Sequence, residues 1–145
     1  MSEQALLDTI SVNIRQRLAM GDEVLIMAPG NYGLDFLADS YGIEKDRVVK
    51  ISNYIGDSLD MAVDQGAGRI LIAGHLGKMI KVAGGIMNTH SGHADARLEI
   101  LTANALMAGA DNDILKELMD CVTTEAAADI LHDAGILEIG RASCR

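Results

Sequence analysis

The hydrophobic and polar positions of this chain follow two different periods. Residues 3–20 place apolar side chains at helical spacing, and Gly21 stands where a helix commonly ends. Short runs rich in Ile, Leu, Met and Val then follow at 23–28, 47–51 and 69–73. Apolar runs of this length, bounded by turn residues, predict three buried strands.

The segments between these strands are predicted to be helices. A turn at 29–33 (PGNYG) opens a helix that extends to about Ser40, and a second connecting helix spans 54–65. Strands that alternate with helices indicate βαβ units, and parallel strands are the arrangement that such units produce.

The rest of the chain is predicted to be helical, with helices at 77–83, 93–108, 111–121 and 124–134. Their expected caps are Asp111, either Thr123 or Thr124, Gly109 and Gly135. We therefore predict one α/β domain over 1–145, with a C-terminal helical subdomain at 93–137. Its core is a parallel sheet of about three strands with flanking helices, in a Rossmann-like three-layer arrangement.

Composition narrows the class of protein. A chain of 145 residues with 49% apolar content is long enough for one domain with a real core. A net charge of −9 and 3% aromatic content argue against a nucleic-acid partner. No apolar run reaches the roughly 18 residues of a membrane span, and the polar start shows no secretory signal.

The two cysteines, Cys121 and Cys144, have no metal-type spacing. We expect them to be reduced thiols of a cytoplasmic protein, because disulfides are rare in that compartment. Cys121 falls in a helical pattern and is expected to be buried, whereas Cys144 falls in a polar tail that is expected to be frayed.

Polar and glycine-rich segments follow all three predicted strands, at 29–33, 52–54 and 74–78. Ligands of open parallel sheets bind beyond the carboxyl ends of the strands. The segment 84–93 adds two adjacent glycines, two histidines, an amide and two hydroxyls, and we expect it to return to the same edge. The sequence therefore predicts a glycine-lined pocket there.

Positive charge is concentrated in the same part of the chain. Residues 68–97 contain four cations against Asp95, a net charge of +3, while the remaining residues sum to −12. Cations near a glycine-rich loop indicate an anionic ligand, such as carboxylates or phosphates. A chance cluster of solvated surface charges explains the same numbers equally well at this stage.

Two familiar phosphate-binding motifs are not matched. The segment 74–78 (GHLGK) fails the P-loop pattern, because Ile72 stands where glycine is required and Met79 where Ser or Thr is required. Gly77 can still open a helix whose free N–H groups hold an anion. The turn at 29–33 is not G-x-G-x-x-G, so dinucleotide binding has little support.

The histidines leave several roles open. His90 and His93 with Asp95 offer metal-ligand chemistry, but no further ligand follows at a standard spacing, so no metal site is predicted. His75 directly follows the third strand, where either a proton carrier or an ordinary hydrogen-bonded histidine fits. Asp95 and Arg97 are two residues apart in a predicted helix, so each is expected to reach a different neighbour.

Several stretches together resemble the C-terminal part of the CbiD family of cobalt-precorrin-5B C1-methyltransferases. They are 30–33 (GNYG), 50–57 (KISNYIGD), 74–78 (GHLGK), 81–90 (KVAGGIMNTH) and 94–97 (ADAR). The resemblance extends from about Glu23 to Leu137. The combination is specific, although each short motif alone is weak.

The resemblance implies methylation of C-1 in a cobalt-containing tetrapyrrole, with S-adenosyl-L-methionine as the methyl donor, in the cytoplasm. It also implies an additional N-terminal domain, so this chain is expected to be a C-terminal fragment of a longer enzyme. Lys78, Lys81 and Arg97 would pair with the carboxylates of the substrate, in agreement with the charge pattern. Whether the fragment is active alone stays open.

The resemblance assigns no individual roles, so these are expected from side-chain chemistry. Methyl transfer needs close placement of the two reactants, which small and amide-bearing residues allow. The expected donor-binding residues are Gly30, Asn31, Gly33, Asn53, Gly74, Gly77, Gly84 and Gly85. Asn88 and Thr89 are expected to bind the substrate by hydrogen bonds. His75 or His90 is expected to accept a proton, and an axial contact to the cobalt is the alternative role for these histidines.

Two other functions fit parts of the sequence. A non-catalytic tetrapyrrole-binding or assembly module fits the low aromatic content and the missing glycine motif of common methyltransferases. A generic Rossmann-like nucleotide enzyme would need a fingerprint that the chain lacks. The expected partners are the anionic tetrapyrrole and the N-terminal domain, with no nucleic acid and no membrane; a homo-oligomer stays open.

Overall fold

The computed structural model of this chain describes residues 1–136, so Cys144 and the predicted end of the helical subdomain at 137 lie outside the described residues. The elements are α1 (Glu3–Ala19), β1 (Leu25–Ala28), α2 (Asn31–Tyr41), a 3₁₀ turn (Lys45–Arg47), β2 (Val48–Lys50), α3 (Ile55–Asp64), β3 (Ile70–Ile72), α4 (Leu76–Ala83), α5 (Arg97–Met107), α6 (Asn112–Met119) and α7 (Thr124–Asp133). The α/β class predicted from the sequence is confirmed.

The three strands form a parallel sheet in the order β2-β1-β3. Met27 of β1 is in register with Val49 of β2 and with Ile72 of β3. All four residues of β1 are buried, because this central strand has a neighbour on each side. The predicted parallel pairing is therefore confirmed.

Helices cover both faces of this sheet. On one face, side chains of β1 and β2 pack against α2 in a cluster formed by Ile26, Ala28, Val48, Leu34 and Leu37. Successive strand side chains point to opposite faces, so Leu25 and Met27 face the other side. There α1 contacts β1, β2 and α3, and its Ile10 and Ile14 are fully buried. Each such side chain contributes about 1.5–3 kcal/mol through burial.

The third strand differs from the prediction of a buried strand. Leu71 keeps 43% of its surface exposed, and Ile70 and Ile72 are only half-buried. Among the described residues, β3 pairs with β1 alone, so it is an edge strand. An apolar run does not reveal whether a strand lies at the centre or the edge of a sheet, which is why the prediction was wrong.

The chain divides into two compact units. The first unit contains Met1–His75 and Met87–His90, and the second contains Leu76–Ile86 and the residues from Ser91 onward. In the second unit, α5 contacts α4, α6 and α7 around a core of Ile80, Leu101, Ala105, Leu118, Ala127 and Leu131. The single domain with a subdomain at 93–137 stays a prediction.

Predicted helix caps are present where the sequence indicated them. The Asp111 carboxylate accepts a hydrogen bond from the backbone N–H of Ile114 at 2.9 Å, and the Thr123 hydroxyl accepts one from Ala126 at 3.1 Å. The predicted terminal glycines Gly21, Gly109 and Gly135 have φ values of 89°, 93° and 73°, in the left-handed region that favours glycine.

Two helix boundaries differ from the prediction. The helix expected at 93–108 begins only at Arg97, because the Asp95 carboxylate accepts from the Arg97 backbone N–H at 3.4 Å and holds the preceding turn. Cys121 lies after α6 and not within it. It is a half-buried free thiol whose Sγ donates to the carbonyl of Glu117 at 3.3 Å.

Candidate functional site

In the first unit, the carboxyl ends of the three strands meet at one edge of the sheet. The Ile51 backbone N–H donates to Ala28 at 3.0 Å, and that of Ala73 donates to Met27 at 3.1 Å. These bonds continue the strand pairing to the points where the chain leaves the sheet. The turn after β1, residues 52–54 and residues 74–75 are therefore neighbours at this edge.

The start of α2 is packed closely against the end of β3. A Cβ atom added at Gly33 would lie 2.0 Å from the carbonyl oxygen of Ala73, so only glycine fits. Tyr32 makes an edge-to-face ring contact with His75, with centroids 5.1 Å apart at 84°. Gly33 is buried and has this packing reason for being glycine, which the sequence did not reveal.

The first turn of α2 leaves backbone donors at the sheet edge. Gly30 is the N-cap and provides no side-chain hydrogen bond, and Asn31, the first helical residue, is exposed. The first N–H groups of a helix have no partner within the helix, and they favour anionic groups. This turn is thus suited to an oxygen-rich ligand.

Residues 87–89 are hydrogen-bonded to the start of α3 and the residue before it. The Gly56 N–H donates to the Met87 carbonyl at 3.0 Å, and an antiparallel bridge pairs Tyr54 with Asn88. A Cβ added at Gly56 would lie 2.8 Å from the Cβ of Met87, so the two segments are in close contact. Within this unit, residues 87–89 of the predicted 84–93 segment therefore contact the residues that follow β2.

Asn53 and Thr89 are joined twice. The Thr89 backbone N–H donates to the Asn53 carbonyl at 3.0 Å, and the Thr89 hydroxyl donates to Asn53 Oδ1 at 3.0 Å. Thr89 is only 4% exposed. Its hydroxyl therefore serves a contact inside the protein, a role that the sequence did not indicate because the partners are far apart along the chain.

The two residues beside Thr89 are more accessible. Asn88 is half-buried, and its Oδ1 accepts from the His90 backbone N–H at 3.1 Å. His90 is exposed at the end of this segment, while His75 is half-buried at the end of β3. Both histidines thus belong to the first unit, and proton transfer by either of them stays a prediction.

The other predicted site residues belong to the second unit. Gly77 lies buried in the first turn of α4, and Lys78 and Lys81 follow on the same helix, three residues apart. Lys81 is only 4% exposed. Burial, and secondarily the charge of Lys81, lower the pKa of Lys78. An anion bound beside these two ammonium groups would offset their repulsion.

Asp95 and Arg97 pair with each other, contrary to the expectation that each reaches a different neighbour. Arg97 Nε and Nη2 donate to the two carboxylate oxygens of Asp95, each at 2.9 Å. The pairing is possible because Asp95 precedes α5. The hydrogen bond to Arg97 lowers the pKa of Asp95, and Lys81 adds to this effect, whereas Asp95 raises the pKa of Arg97.

The two adjacent glycines of this unit have different reasons for being glycine. A Cβ at Gly84 would lie 2.3 Å from Cδ1 of Ile100 on α5, so Gly84 allows close packing. Gly85 has φ of 84° with open space around its Cα, so it supplies a left-handed turn after α4. Neither position requires a ligand to explain it.

Two pockets within single units do not suit a large anionic ligand. One of about 200 Å³ in the second unit is smaller than typical ligand pockets and is lined by Asp95, Arg97, Leu98, Glu99, Val122 and Thr124. One of about 290 Å³ in the first unit contains four aspartates and is lined by Gln4, Leu7, Asp8, Ser11, Asp57, Asp60, Met61 and Asp64. Their carboxylates would repel an anion.

Residues 1–136 contain no group of three or more His, Cys, Asp or Glu side chains that could hold a metal ion. In the same part of the chain, no helix is both long enough and apolar enough to cross a bilayer.

Residues 88–145 match the family model described as CbiD, C-terminal domain. This part of the chain is similar to the C-terminal domain of CbiD proteins. The resemblance predicted from the sequence is thereby confirmed, and the match includes both the hydrogen-bonded segment at 88–90 and the Asp95–Arg97 pair. No solved structure gives a significant match.

Curated relatives extend this similarity to the sheet-bearing part of the chain. The chain is 43% identical over 136 residues to the cobalt-precorrin-5B C(1)-methyltransferase of Ruminiclostridium cellulolyticum, which covers 94% of this chain and 35% of that protein. Proteins of the same name from Thermoanaerobacter sp. and Clostridioides difficile are 41% and 38% identical, over 94% and 96% of this chain and 37% and 34% of those proteins. The chain thus spans about a third of the length of these relatives.

Proposed function

We propose that this chain is part of a cobalt-precorrin-5B C(1)-methyltransferase, which transfers a methyl group from S-adenosyl-L-methionine to C-1 of the cobalt-precorrin in cobalamin biosynthesis, in the cytoplasm. The observation that carries the proposal is the 43% identity, over 94% of this chain, to a relative with that name. The matched region includes both the sheet edge and the cationic helix α4.

The sheet edge of the first unit fits the methyl donor. S-adenosyl-L-methionine supplies a methyl group on a sulfonium, and its amino-acid end bears a carboxylate. The first turn of α2, which has no side-chain cap, and the carboxamide of Asn53 both offer N–H donors to such a group. Gly30, Asn31 and Gly74 lie at the same edge, and we assign to them the role of letting the methyl donor approach the backbone closely.

The cations of the second unit fit the carboxylates of the tetrapyrrole. We assign Lys78 and Lys81 to these carboxylates, because their like charges on one helix face are stabilised by a bound anion. Two of the three donating nitrogens of Arg97, Nε and Nη2, already donate to Asp95, so we assign Arg97 a weaker contact with the substrate than the two lysines. Hydrogen bonds from Asn88 complete the proposed contacts.

Catalysis by these residues rests mainly on placement, which supplies much of the acceleration in transfers between two bound reactants. If the macrocycle loses a proton, His90 or His75 accepts it. His90 is exposed, and a substitution there leaves the packing of the sheet intact. A His90→Ala variant with unchanged ligand affinity and a lower transfer rate would support the proton-acceptor role.

A binding assay and a transfer assay together test the proposal. The chain is titrated with S-adenosylhomocysteine and with the cobalt corrinoid cobyrinic acid by calorimetry. It is then incubated with methyl-labelled S-adenosyl-L-methionine and cobalt-precorrin-5B, with the Ruminiclostridium relative as positive control. Label in the tetrapyrrole supports the proposal. Absence of binding to both ligands would contradict it.

A second candidate function is a non-catalytic tetrapyrrole-binding module of the same enzyme. The observation that favours it is that the chain spans about a third of the length of its relatives. Corrinoid binding without label transfer, and without affinity for S-adenosylhomocysteine, would support this module. It would also move the methyl-donor site away from this chain.

A further inference from the structure

We propose that the Asn53 carboxamide donates a hydrogen bond to a carboxylate of the bound ligand, and that Thr89 is the positioning residue that orients it. The inference rests on the proposed function and adds to it a specific donor, a specific acceptor and a residue that acts through another.

The orientation of the amide follows from its bond to Thr89. Asn53 Oδ1 accepts from the Thr89 hydroxyl at 3.0 Å, and this bond directs the carbonyl oxygen of the carboxamide toward Thr89. The opposite branch of the planar group is Nδ2, which has two N–H donors. Within residues 1–136 no acceptor is bonded to Nδ2, and Asn53 is only half-buried. The donors therefore remain available to a ligand.

The backbone at this point is held in a conformation that residues other than glycine rarely adopt. Ser52 has φ of 52°, the only positive φ of a non-glycine residue within 1–136. Bonds on both sides maintain it, since Ile51 donates to Ala28 and Tyr54 donates to the Ile51 carbonyl at 3.1 Å. Strained residues of this kind occur often at ligand sites. These bonds hold the backbone of Ser52 directly before Asn53.

The segment that contains Thr89 does not depend on the Thr89 hydroxyl for its position. The Thr89 backbone N–H donates to the Asn53 carbonyl, and the Gly56 N–H donates to Met87, each at 3.0 Å. A Thr89→Val substitution keeps these backbone bonds and the side-chain shape while it removes the hydroxyl. The substitution therefore tests the contribution of the Thr89 hydroxyl to the orientation of Asn53 apart from these backbone bonds.

A carboxylate is the acceptor that best matches these donors, because hydrogen bonds to an ionised acceptor are stronger than those between neutral groups. Two ligands of the proposed reaction bear carboxylates, namely the amino-acid end of the methyl donor and the acid side chains of the tetrapyrrole. Both present the same chemistry to Asn53, so matched probes with and without the carboxylate distinguish them.

The test uses four probes in calorimetric titrations of the 145-residue chain. S-adenosylhomocysteine is matched with 5′-methylthioadenosine, which lacks the amino-acid end, and cobyrinic acid is matched with its heptamethyl ester. The variants are Asn53→Asp, Thr89→Val and Thr89→Ser. Circular dichroism and thermal unfolding confirm that each variant is folded.

We expect the affinity for one carboxylate probe to fall by about tenfold in Thr89→Val. In Asn53→Asp we expect it to fall by at least about tenfold, because this variant loses the donor and also adds a charge that repels the carboxylate. Thr89→Ser retains the hydroxyl and is expected to bind within about twofold of the unchanged chain. The matched probe without the carboxylate is expected to lose no affinity in any variant. The pair that responds identifies which ligand Asn53 contacts.

Three results would overturn the inference. An equal loss on both members of a pair would make Asn53 and Thr89 merely structural. Full affinity in Asn53→Asp would show that residue 53 donates no hydrogen bond to the carboxylate of the probe. Unchanged affinity for every probe in both Asn53→Asp and Thr89→Val would remove the contact. Failure of the unchanged chain to bind any probe would instead refute the proposed function itself, and this inference with it.

Discussion

Replacing Gly33 with alanine tests whether the first turn of α2 and the end of β3 form one packed unit. The new Cβ would lie 2.0 Å from the carbonyl oxygen of Ala73 and 2.8 Å from its carbonyl carbon. Ordinary carbon–oxygen contacts are about 3.3–3.6 Å, so backbone must move by more than about 1 Å. Because both neighbours are backbone, we expect a cost near the upper end of the usual overpacking range, about 3 kcal/mol.

The assay is thermal and urea unfolding of the chain followed by circular dichroism. A cost of about 3 kcal/mol corresponds to a fall in Tm of roughly 6–12 °C for a chain of this size. Gly68→Ala is the matched control, since its Cβ would meet nothing within 4 Å and its φ is not in the left-handed region. We expect it to change stability by less than about 1 kcal/mol.

A second control separates packing from backbone strain. Gly21 has φ of 89° with open space around it, so Gly21→Ala tests left-handed strain alone, at about 1–2 kcal/mol. If Gly33→Ala proved as stable as Gly68→Ala, the close approach of α2 to Ala73 would be refuted. The role of Gly33 would then have to be sought in ligand binding.

Three further predictions concern stability, pH and thiol reactivity. Ser58→Ala is expected to be neutral or stabilising by up to about 1 kcal/mol in urea unfolding, because the fully buried Ser58 hydroxyl has no partner within residues 1–136; a larger loss would indicate a hidden bond. The hydrogen bond from Arg17 lowers the pKa of Asp22, so ionised Asp22 contributes its full stabilisation above the unfolded pKa of about 3.9 and loses it as the pH falls through the folded pKa. The unfolding free energies of the unchanged chain and of Asp22→Asn should therefore converge in acid. A difference that stays constant with pH would contradict this. Burial raises the pKa of the Cys121 thiol, so its alkylation at pH 8 should be slower than that of free cysteine and should accelerate in urea. The measurement uses a Cys144→Ser variant, in which Cys121 is the remaining cysteine. Equal alkylation rates with and without urea would contradict this prediction.

Periodic patterns carried most of the fold information. The apolar runs at 23–28, 47–51 and 69–73 predicted all three strands, and the parallel pairing followed from the helices between them. The exposure of Leu71 could not be predicted, because burial depends on strand order and the sequence does not encode that order locally. The helix predicted from residue 93 begins only at Arg97, because the Asp95 carboxylate accepts a hydrogen bond from the Arg97 backbone N–H.

The candidate site was predicted less completely, since its decisive contacts are non-local. Residue composition indicated the segment at 84–93, but not that Thr89 bonds with Asn53, 36 positions away. Side-chain type also did not indicate that Gly33 packs against Ala73, a contact that requires glycine; its expected role in donor binding stays a prediction. The resemblance to the CbiD family, by contrast, was predicted from short motifs and is confirmed.

The register of the sheet has a consequence for how the chain acquires its structure. Leu25 pairs with Ile70, so the central strand cannot complete its ladder until a distant segment has closed a long loop. Non-local pairings of this kind slow folding, whereas contacts between successive helices such as α5 and α6 form rapidly. We therefore expect the backbone amides of α4–α7, the helices of the second unit, to become protected from hydrogen exchange early during refolding. The amides at the carboxyl ends of the strands should become protected last, leaving ligand recognition as the final property that the nascent polypeptide gains.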